Sequence, residues 1–179
     1  EAGKTSMALA WAKNWQEHLP DTGRVIYFNA EGRITNYLIK MSGIRNDHDR
    51  FRIIDSNCGD FIYDFIQKLV LNSKTERYFF IIDSTDALLR EQDNSKSFRD
   101  AEKVAGGALL SSMAGRRLSL PISSNGHHLF ICSQSRAKMS GGGGMGPQGT
   151  TSSGGNAPKF YSSLTGEILP SGNFDNTIL

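Results

Sequence analysis

The sequence has few cysteines, no long apolar run and, over a long internal stretch, no acidic residue. Its two cysteines, Cys58 and Cys132, lie far apart and lack metal-ligand spacing, which favours a pair of reduced thiols over a disulfide framework or a zinc site. No apolar run approaches the length of a membrane span. The first helix carries Lys, Asn, Gln and Glu, so we expect no cleavable signal peptide. We therefore expect no membrane partner.

The acid-free stretch separates charge along the chain. No Asp or Glu occurs between Lys103 and Gly166, whereas six residues there are Lys or Arg. The overall net charge of +2 therefore combines +6 from this stretch with −4 from the remainder, which holds 14 basic and 18 acidic residues. Such segregation predicts a polyanionic partner for one face. The alternative is that acidic residues from elsewhere fold nearby and balance the charge.

Apolar strands alternate with amphipathic helices along the chain, which predicts an α/β domain with a mainly parallel central β-sheet flanked by helices. The predicted helices are 5–18, 34–41, 59–72 and about 108–118, and the predicted strands are 24–31, 51–54, 77–84 and 127–134. Met7, Trp11 and Trp15 mark the apolar stripe of the first helix, with Ala8, Ala12 and Leu19 beside them. The segment 140–155 has eight glycines and no charge, so we expect it to be mobile in the free protein.

The chain opens with features of a phosphate-binding loop. Such a loop needs backbone N–H groups at the start of a helix, a lysine for the β- and γ-phosphates and a hydroxyl for Mg²⁺. Gly3 permits close approach of the backbone, Lys4 supplies the charge, Thr5 is the candidate metal ligand, and Ser6 is expected near the α-phosphate. The alternative is an ordinary helix start.

Three further polar residues follow apolar strands. Asp83 ends the strand FFIID, and a carboxylate at that end of a parallel strand is suited to hold Mg²⁺ beside Thr5; alternatively it caps a turn. Glu31, just past YFNA, is a candidate base for the water that attacks the γ-phosphate; alternatively it caps the next helix. Gln134 is a neutral donor able to report a γ-phosphate.

These elements, in this order, resemble the ATPase core of the RecA recombinase family, with details typical of a phage or otherwise divergent member. The matching stretches are GKTS (3–6), YFNAEG (27–32), FFIIDSTDAL (79–88) and FICSQSRAKMSGGGGMGPQGTTSSGGNAPKFYSS (130–163). The last is the most specific, since it joins a strand, a glutamine, a basic pair and a glycine-rich loop to GGNAPKFY. The resemblance implies a RecA-type P-loop NTPase core over 1–163, truncated within the Walker A motif, and a poorly assigned tail over 164–179.

The resemblance also implies a role for each matching residue. The expected ATP and Mg²⁺ contacts come from Ala2, Gly3, Lys4, Thr5, Ser6, Asp83, Tyr37 near the adenine, and Lys159 at a neighbour's nucleotide, with Thr5 and Asp83 as the metal residues. The expected catalytic residues are Lys4, Glu31 and Gln134. The expected DNA contacts are Arg136, Lys138, Gly144, Met145, Gly146, Gly155, Asn156 and Lys159, and the segment 91–107 would match the first DNA loop.

As a whole, the resemblance implies the core of a longer recombinase in the cytoplasm of a bacterial or phage-infected cell. Such a protein would bind single-stranded and double-stranded DNA, and it would self-associate into a helical filament with ATP at protomer interfaces. It would use ATP hydrolysis in homologous pairing and strand exchange. Two alternatives remain open: a related motor, such as a hexameric helicase or a clock-type ATPase, and a non-catalytic DNA-binding filament regulator.

Overall fold

A parallel β-sheet forms the centre of the computed structural model, which describes residues 3–94, 106–137, 150–152 and 157–168. The helices are α1 (Lys4–His18), α2 (Asn36–Ser42), α3 (Gly59–Asn72), α4 (Glu91–Asn94), α5 (Gly106–Ser124) and α6 (Ala157–Tyr161). The strands are β1 (Gly23–Asn29), β2 (Phe51–Ile54), β3 (Arg77–Asp83), β4 (His128–Ile131), β5 (Ser135–Ala137) and β6 (Thr150–Ser152). No helix in the described ranges is long and apolar enough to cross a membrane.

The sheet has the order β2-β1-β3-β4, and its strands all run parallel. β1 and β3 are buried along nearly their whole length, because α1 and α2 cover one face and α3 and α5 cover the other. In the register of these two strands, Asn29 pairs with Asp83 at their carboxyl ends. The α/β fold predicted from the alternating pattern is confirmed, and its central strands end at one common edge.

The face that α1 buries is centred on Ala8 and Ala12, which were predicted to flank the stripe, and not on Met7, Trp11 and Trp15. The helix instead buries Ala8, Leu9, Ala12 and Gln16, while Met7 and Trp11 are 42% and 45% exposed. Small side chains let the helix approach the sheet closely, which leaves the bulky residues at its flank. Gln16 is buried because its amide bonds backbone groups of the loop before β2: Nε2 donates to the Arg45 and Arg50 carbonyls at 3.1 Å, and Oε1 accepts from the Arg45 N–H at 2.9 Å.

Helix α5 extends six residues past its predicted end at 118 and contains Pro121. Proline lacks the N–H of a helical hydrogen bond and ordinarily disfavours the interior of a helix. The helix continues because Ile122, one residue further on, packs against the apolar cluster between α3, α5 and the sheet. The loss is one backbone hydrogen bond close to the helix end, where the Asn125 N–H still bonds the Pro121 carbonyl at 3.1 Å.

Two elements near the glycine-rich segment were not predicted. β5 and β6 pair antiparallel, with Arg136 opposite Thr151, so the two ends of the stretch between them lie side by side. Most of the segment predicted to be mobile, 140–149 and 153–155, lies outside the described residues. Helix α6 follows, with Pro158 in its first turn, where the missing N–H would have no helical partner in any case.

Helix α6 packs on α5, with the Tyr161 ring close against Gly115. A Cβ atom built on Gly115 of α5 would lie 2.3 Å from the Tyr161 ring. We therefore expect Gly115→Ala to push Tyr161 away and to loosen α6, at a cost of about 1–3 kcal/mol where the ring cannot move aside. The measurement is backbone hydrogen exchange over Ala157–Ser162, which should become faster.

Gly107, in the same helix, is the matched control for this test. No described residue lies within 4 Å of a Cβ built there, so Gly107→Ala should stabilise α5 by roughly 0.5 kcal/mol through the lower backbone entropy of the unfolded chain. Unchanged exchange in α6 of Gly115→Ala would contradict the tight contact.

Candidate nucleotide site

The carboxyl edge of the sheet brings together residues that are far apart in the chain. Asp83 is the last residue of β3, and Thr5 lies in the first turn of α1. The Thr5 hydroxyl donates a hydrogen bond of 2.6 Å to Asp83 Oδ2 across 78 positions of sequence. Asp83 is buried and Thr5 is half-buried. The two candidate metal residues are therefore adjacent.

The start of α1 has the backbone form of an anion site. Gly3 is the N-cap with φ of 75°, a left-handed conformation that glycine adopts without strain. Among the described residues no side chain caps this end of the helix, and its first turn carries no acidic residue. The free N–H groups and the helix dipole therefore favour a bound anion here. Lys4 is half-buried at this end and Ser6 is exposed, whereas Ala2 lies outside the described residues.

Asp83 Oδ2 accepts a second hydrogen bond, from a residue that the sequence did not point to. The Tyr27 hydroxyl donates to it at 2.6 Å from the middle of β1. Tyr27 is buried, and burial first, then the hydrogen bond and charge of Asp83, raises the pKa of its hydroxyl well above the usual range. This hydroxyl therefore remains a donor. A signal did exist, since Tyr27 shares a strand face with Asn29, the register partner of Asp83.

Cys132, just after β4, is a second unpredicted neighbour of Asp83. The thiol is buried, and desolvation, followed by the charge and hydrogen bond of Asp83, raises its pKa far above the ordinary value. The nearby Lys4 acts in the opposite direction but does not offset these effects. A protonated buried thiol is a poor nucleophile, so Cys132 packs against the site and does not supply reactive sulfur.

Glu31 is held by both of its carboxylate oxygens. The Ser84 hydroxyl donates to Oε1, and Arg33 Nη1 lies 3.1 Å from Oε2. The backbone N–H groups of Ala30 and Glu31 both donate to the Asp83 carbonyl, at 3.0 and 3.2 Å. The loop after β1 is thus bonded to the end of β3. Ser84 and Arg33 were not predicted from the sequence.

The alternative role of Glu31 as the cap of the next helix is not what the structure shows. The N-cap of α2 is Thr35, whose side chain accepts from the Leu38 N–H at 3.3 Å. Asn29 shapes the turn instead, since its Oδ1 accepts from the Arg33 and Ile34 N–H groups at 3.0 and 3.3 Å. Glu31 is therefore left with its carboxylate at the edge of the sheet, beside Ser84.

Gln134 is joined to the site through its backbone. Its N–H donates to Asp86 Oδ2 at 2.8 Å. The Thr85 N–H also bonds the Cys132 carbonyl at 3.0 Å. Within the described ranges, no hydrogen bond joins the exposed Gln134 side chain to Thr5 or Glu31. Asp86 is a further residue that the sequence did not single out.

The remaining candidate residues lie away from these contacts. Tyr37, on α2, is 70% exposed, and no contact between the described residues brings it to Thr5 or Asp83. Arg136 and Lys159 fall on β5 and α6, and the segment 91–107 begins as α4. The other predicted DNA contacts lie outside the described residues: Lys138, Gly144, Met145, Gly146, Gly155 and Asn156.

The residues at this edge fit a magnesium–nucleotide complex. Mg²⁺ takes hard oxygen ligands and is usually held by one or two protein groups together with phosphate oxygens and water, and Thr5 and Asp83 are oxygen donors at adjacent positions. The uncapped start of α1 suits the phosphates. Among the described residues, no group of three or more His, Cys, Asp or Glu is arranged to hold a metal alone, so the phosphates would complete the metal's shell.

The model of the RecA N-terminal domain family matches residues 1–177. The chain is 28% identical to "DNA repair protein recA homolog 3, mitochondrial" of Arabidopsis thaliana over 91% of its own length and 36% of that protein. It is 29% identical to "Protein RecA" of Nautilia profundicola over 91% of the chain and 44% of that protein. It is 31% identical to "Protein RecA" of Nitratidesulfovibrio vulgaris over 93% of the chain and 44% of that protein. The chain thus spans less than half the length of these relatives.

Proposed function

The chain belongs to the RecA N-terminal domain family, and from that membership we propose that it is the ATPase core of a DNA recombinase. The observation that carries this proposal is the constellation of Thr5, Asp83 and Glu31 at one edge of the sheet. Three chemical requirements of phosphoryl transfer meet there: an anion-binding helix start, an oxygen pair for a metal ion, and a carboxylate for the attacking water. The core corresponds to residues 1–163.

Each residue of the site has a distinct part in the proposed hydrolysis. The N–H groups at the start of α1 and the Lys4 ammonium hold the phosphates, while Thr5 and Asp83 hold Mg²⁺. The metal, when bound, neutralises charge that develops on the phosphate oxygens. Glu31 orients a water molecule and accepts its proton. Ser84 and Arg33 keep the Glu31 carboxylate in place beforehand, so little reorganisation accompanies the reaction.

A connected route leads from this site towards the proposed DNA-binding segment. Asp86 follows Asp83 by three residues, and its carboxylate holds the Gln134 N–H. β5 begins at the next residue, Ser135. A change at the phosphates that moves Gln134 or Asp86 would therefore reach the segment that contains Arg136 and Lys138. The acid-free stretch 103–166 supports nucleic acid as the polyanion, and the glycine-rich loop suits a contact that follows the DNA backbone.

The filament, both DNA partners and the cytoplasmic site of action belong to the same proposal. In it, protomers polymerise on single-stranded DNA, and Lys159 and Phe160 lie at the contact between neighbours. Phe160 is 81% exposed, which supports its availability to a neighbouring protomer. ATP favours the DNA-binding state, and hydrolysis releases it.

The test is the affinity of the full natural protein for single-stranded DNA with ATP, with ADP and without nucleotide. We expect ATP to tighten binding by about tenfold or more, within the usual range of coupling between two sites, and we expect single-stranded DNA to stimulate ATP hydrolysis. Equal affinity in all three conditions would contradict the proposal. Nucleotide-independent DNA binding without hydrolysis would favour a filament regulator, and ATP-driven unwinding of a duplex would favour a helicase.

A further inference from the structure

One buried carboxylate oxygen at the nucleotide site is shared by two hydroxyl groups with different freedom to move. Asp83 Oδ2 accepts from Thr5 and from Tyr27, each at 2.6 Å. Thr5 is half-buried at the first turn of α1, beside the anion-binding helix start. Tyr27 is inside the sheet and is almost completely buried. The first hydroxyl can respond to a ligand, whereas the second is part of the core.

The Tyr27 ring has little room to withdraw its hydroxyl. In the register of the sheet, Tyr27 lies between Ile53 of β2 and Ile81 of β3. The ring contacts Phe51, with centroids 6.4 Å apart, and it belongs to the apolar cluster under α1 that also contains Leu9 and Cys132. Packing therefore fixes the ring, and the ring fixes the position of the hydroxyl.

We propose that Tyr27 is a positioning residue that orients the Asp83 carboxylate for Mg²⁺, an inference that rests on the proposed nucleotide function. A lone hydrogen bond from Thr5 would leave the carboxylate able to rotate when the Thr5 hydroxyl turns to a metal ion. The second donor holds Oδ2 in place throughout. Partners of this kind, which orient a metal-binding carboxylate without touching the metal, are a general feature of metal sites.

The test is the Mg²⁺ dependence of nucleotide binding in the variant Tyr27→Phe. This change removes the hydroxyl and keeps the ring, so the packing under α1 is retained. With a fluorescent ATP analogue, we expect the Mg²⁺ concentration that gives half-maximal binding to rise about tenfold, the lower end of the range for loss of such a partner. Binding in excess chelator, where no Mg²⁺ takes part, should not change.

Tyr63→Phe is the matched control. Tyr63 is also buried, but it lies on α3, on the opposite face of the sheet. Burial raises the pKa of its hydroxyl to about 12, and Ser111 is its hydrogen-bond partner. Loss of this hydroxyl should leave the Mg²⁺ requirement at the wild-type value. An equal rise in both variants would mean that the removal of any buried hydroxyl loosens the site, and it would overturn the proposal.

The remaining outcomes separate this inference from the proposed function. A wild-type protein that binds the analogue without any Mg²⁺ dependence would contradict the proposed function itself. A wild-type protein that shows the dependence, with the same or a lower requirement in Tyr27→Phe, would overturn only the role of Tyr27. If Tyr27→Phe does not fold, replacing Tyr27 with 4-aminophenylalanine tests the same point. This residue keeps a weaker donor, so we expect an intermediate Mg²⁺ requirement; the wild-type value would overturn the proposal.

Discussion

Replacing Glu31 with glutamine should lower the rate of ATP hydrolysis by about a hundredfold to ten-thousandfold, the usual contribution of a general base, while ATP and DNA binding are kept. Glutamine has nearly the same shape but cannot accept the proton of the attacking water. The amide oxygen can still accept from Ser84, although the ion pair with Arg33 at 3.1 Å is lost. The measurement is steady-state turnover with saturating DNA, together with nucleotide affinity.

The matched control for this prediction is Glu17→Gln. Glu17 is exposed on α1, where it pairs with Lys13 at 2.9 Å on the helix surface, so the same chemical change there should leave turnover unaltered. Turnover that is equally fast in Glu31→Gln and in the wild type would remove Glu31 from its assigned role. A parallel loss of ATP binding would instead assign Glu31 to the nucleotide pocket as a structural group.

Truncation of Phe80 to alanine should lower the free energy of unfolding by about 3–5 kcal/mol, the range for a large buried aromatic side chain. Phe80 lies in the middle of β3, is 0% exposed and stands between Ile26 and Leu129 of the neighbouring strands. Its ring also stacks on Tyr78, with centroids 5.5 Å apart. The loss of stability has two parts: the transfer free energy of the buried ring is lost, and a cavity remains that β1 and β4 cannot close. Denaturant unfolding measures it.

Phe61→Ala provides the comparison, because Phe61 on α3 is 46% exposed. It contacts Phe65, with ring centroids 5.9 Å apart, but much of its surface already faces water, so its removal should cost far less. Similar losses of stability in the two variants would mean that β3 is not the centre of the core. A smaller m-value in Phe80→Ala alone would point to a change in the unfolded or partly folded state.

The sequence predicted the sheet well because burial on both faces produces continuous apolar runs. The segments around Tyr27 and Phe80 were recognised as central strands for this reason, and their ends placed Asp83 and Glu31 at one edge. The contact of Thr5 with Asp83 was also predictable, since each residue belongs to a motif of known spacing. These predictions depend on local patterns, which a single sequence displays directly.

The contacts that escaped prediction depend on which distant side chains meet. A tyrosine in an apolar strand is ordinarily a core residue, so the strand face that Tyr27 shares with Asn29 points to Asp83 only once the register of β1 and β3 is known. The centre of the buried face of α1 was wrong, because the stripe of large residues, Met7 and Trp11, was taken as the core side and Ala8 and Ala12 only as its flank. Close packing on the sheet selected alanine instead. Likewise, the extension of α5 past Pro121 is decided by the contact of Ile122 with the core.

The bonds from Ala30 and Glu31 to the Asp83 carbonyl make the two halves of the proposed catalytic centre a single stiff body. Gln134 is linked to this end of the sheet by its N–H, which donates to Asp86 Oδ2, and by the Thr85 N–H, which bonds the Cys132 carbonyl two residues earlier. In the proposed mechanism, a shift of the turn Thr85–Ala87 during phosphate chemistry would reach the start of β5 through these bonds.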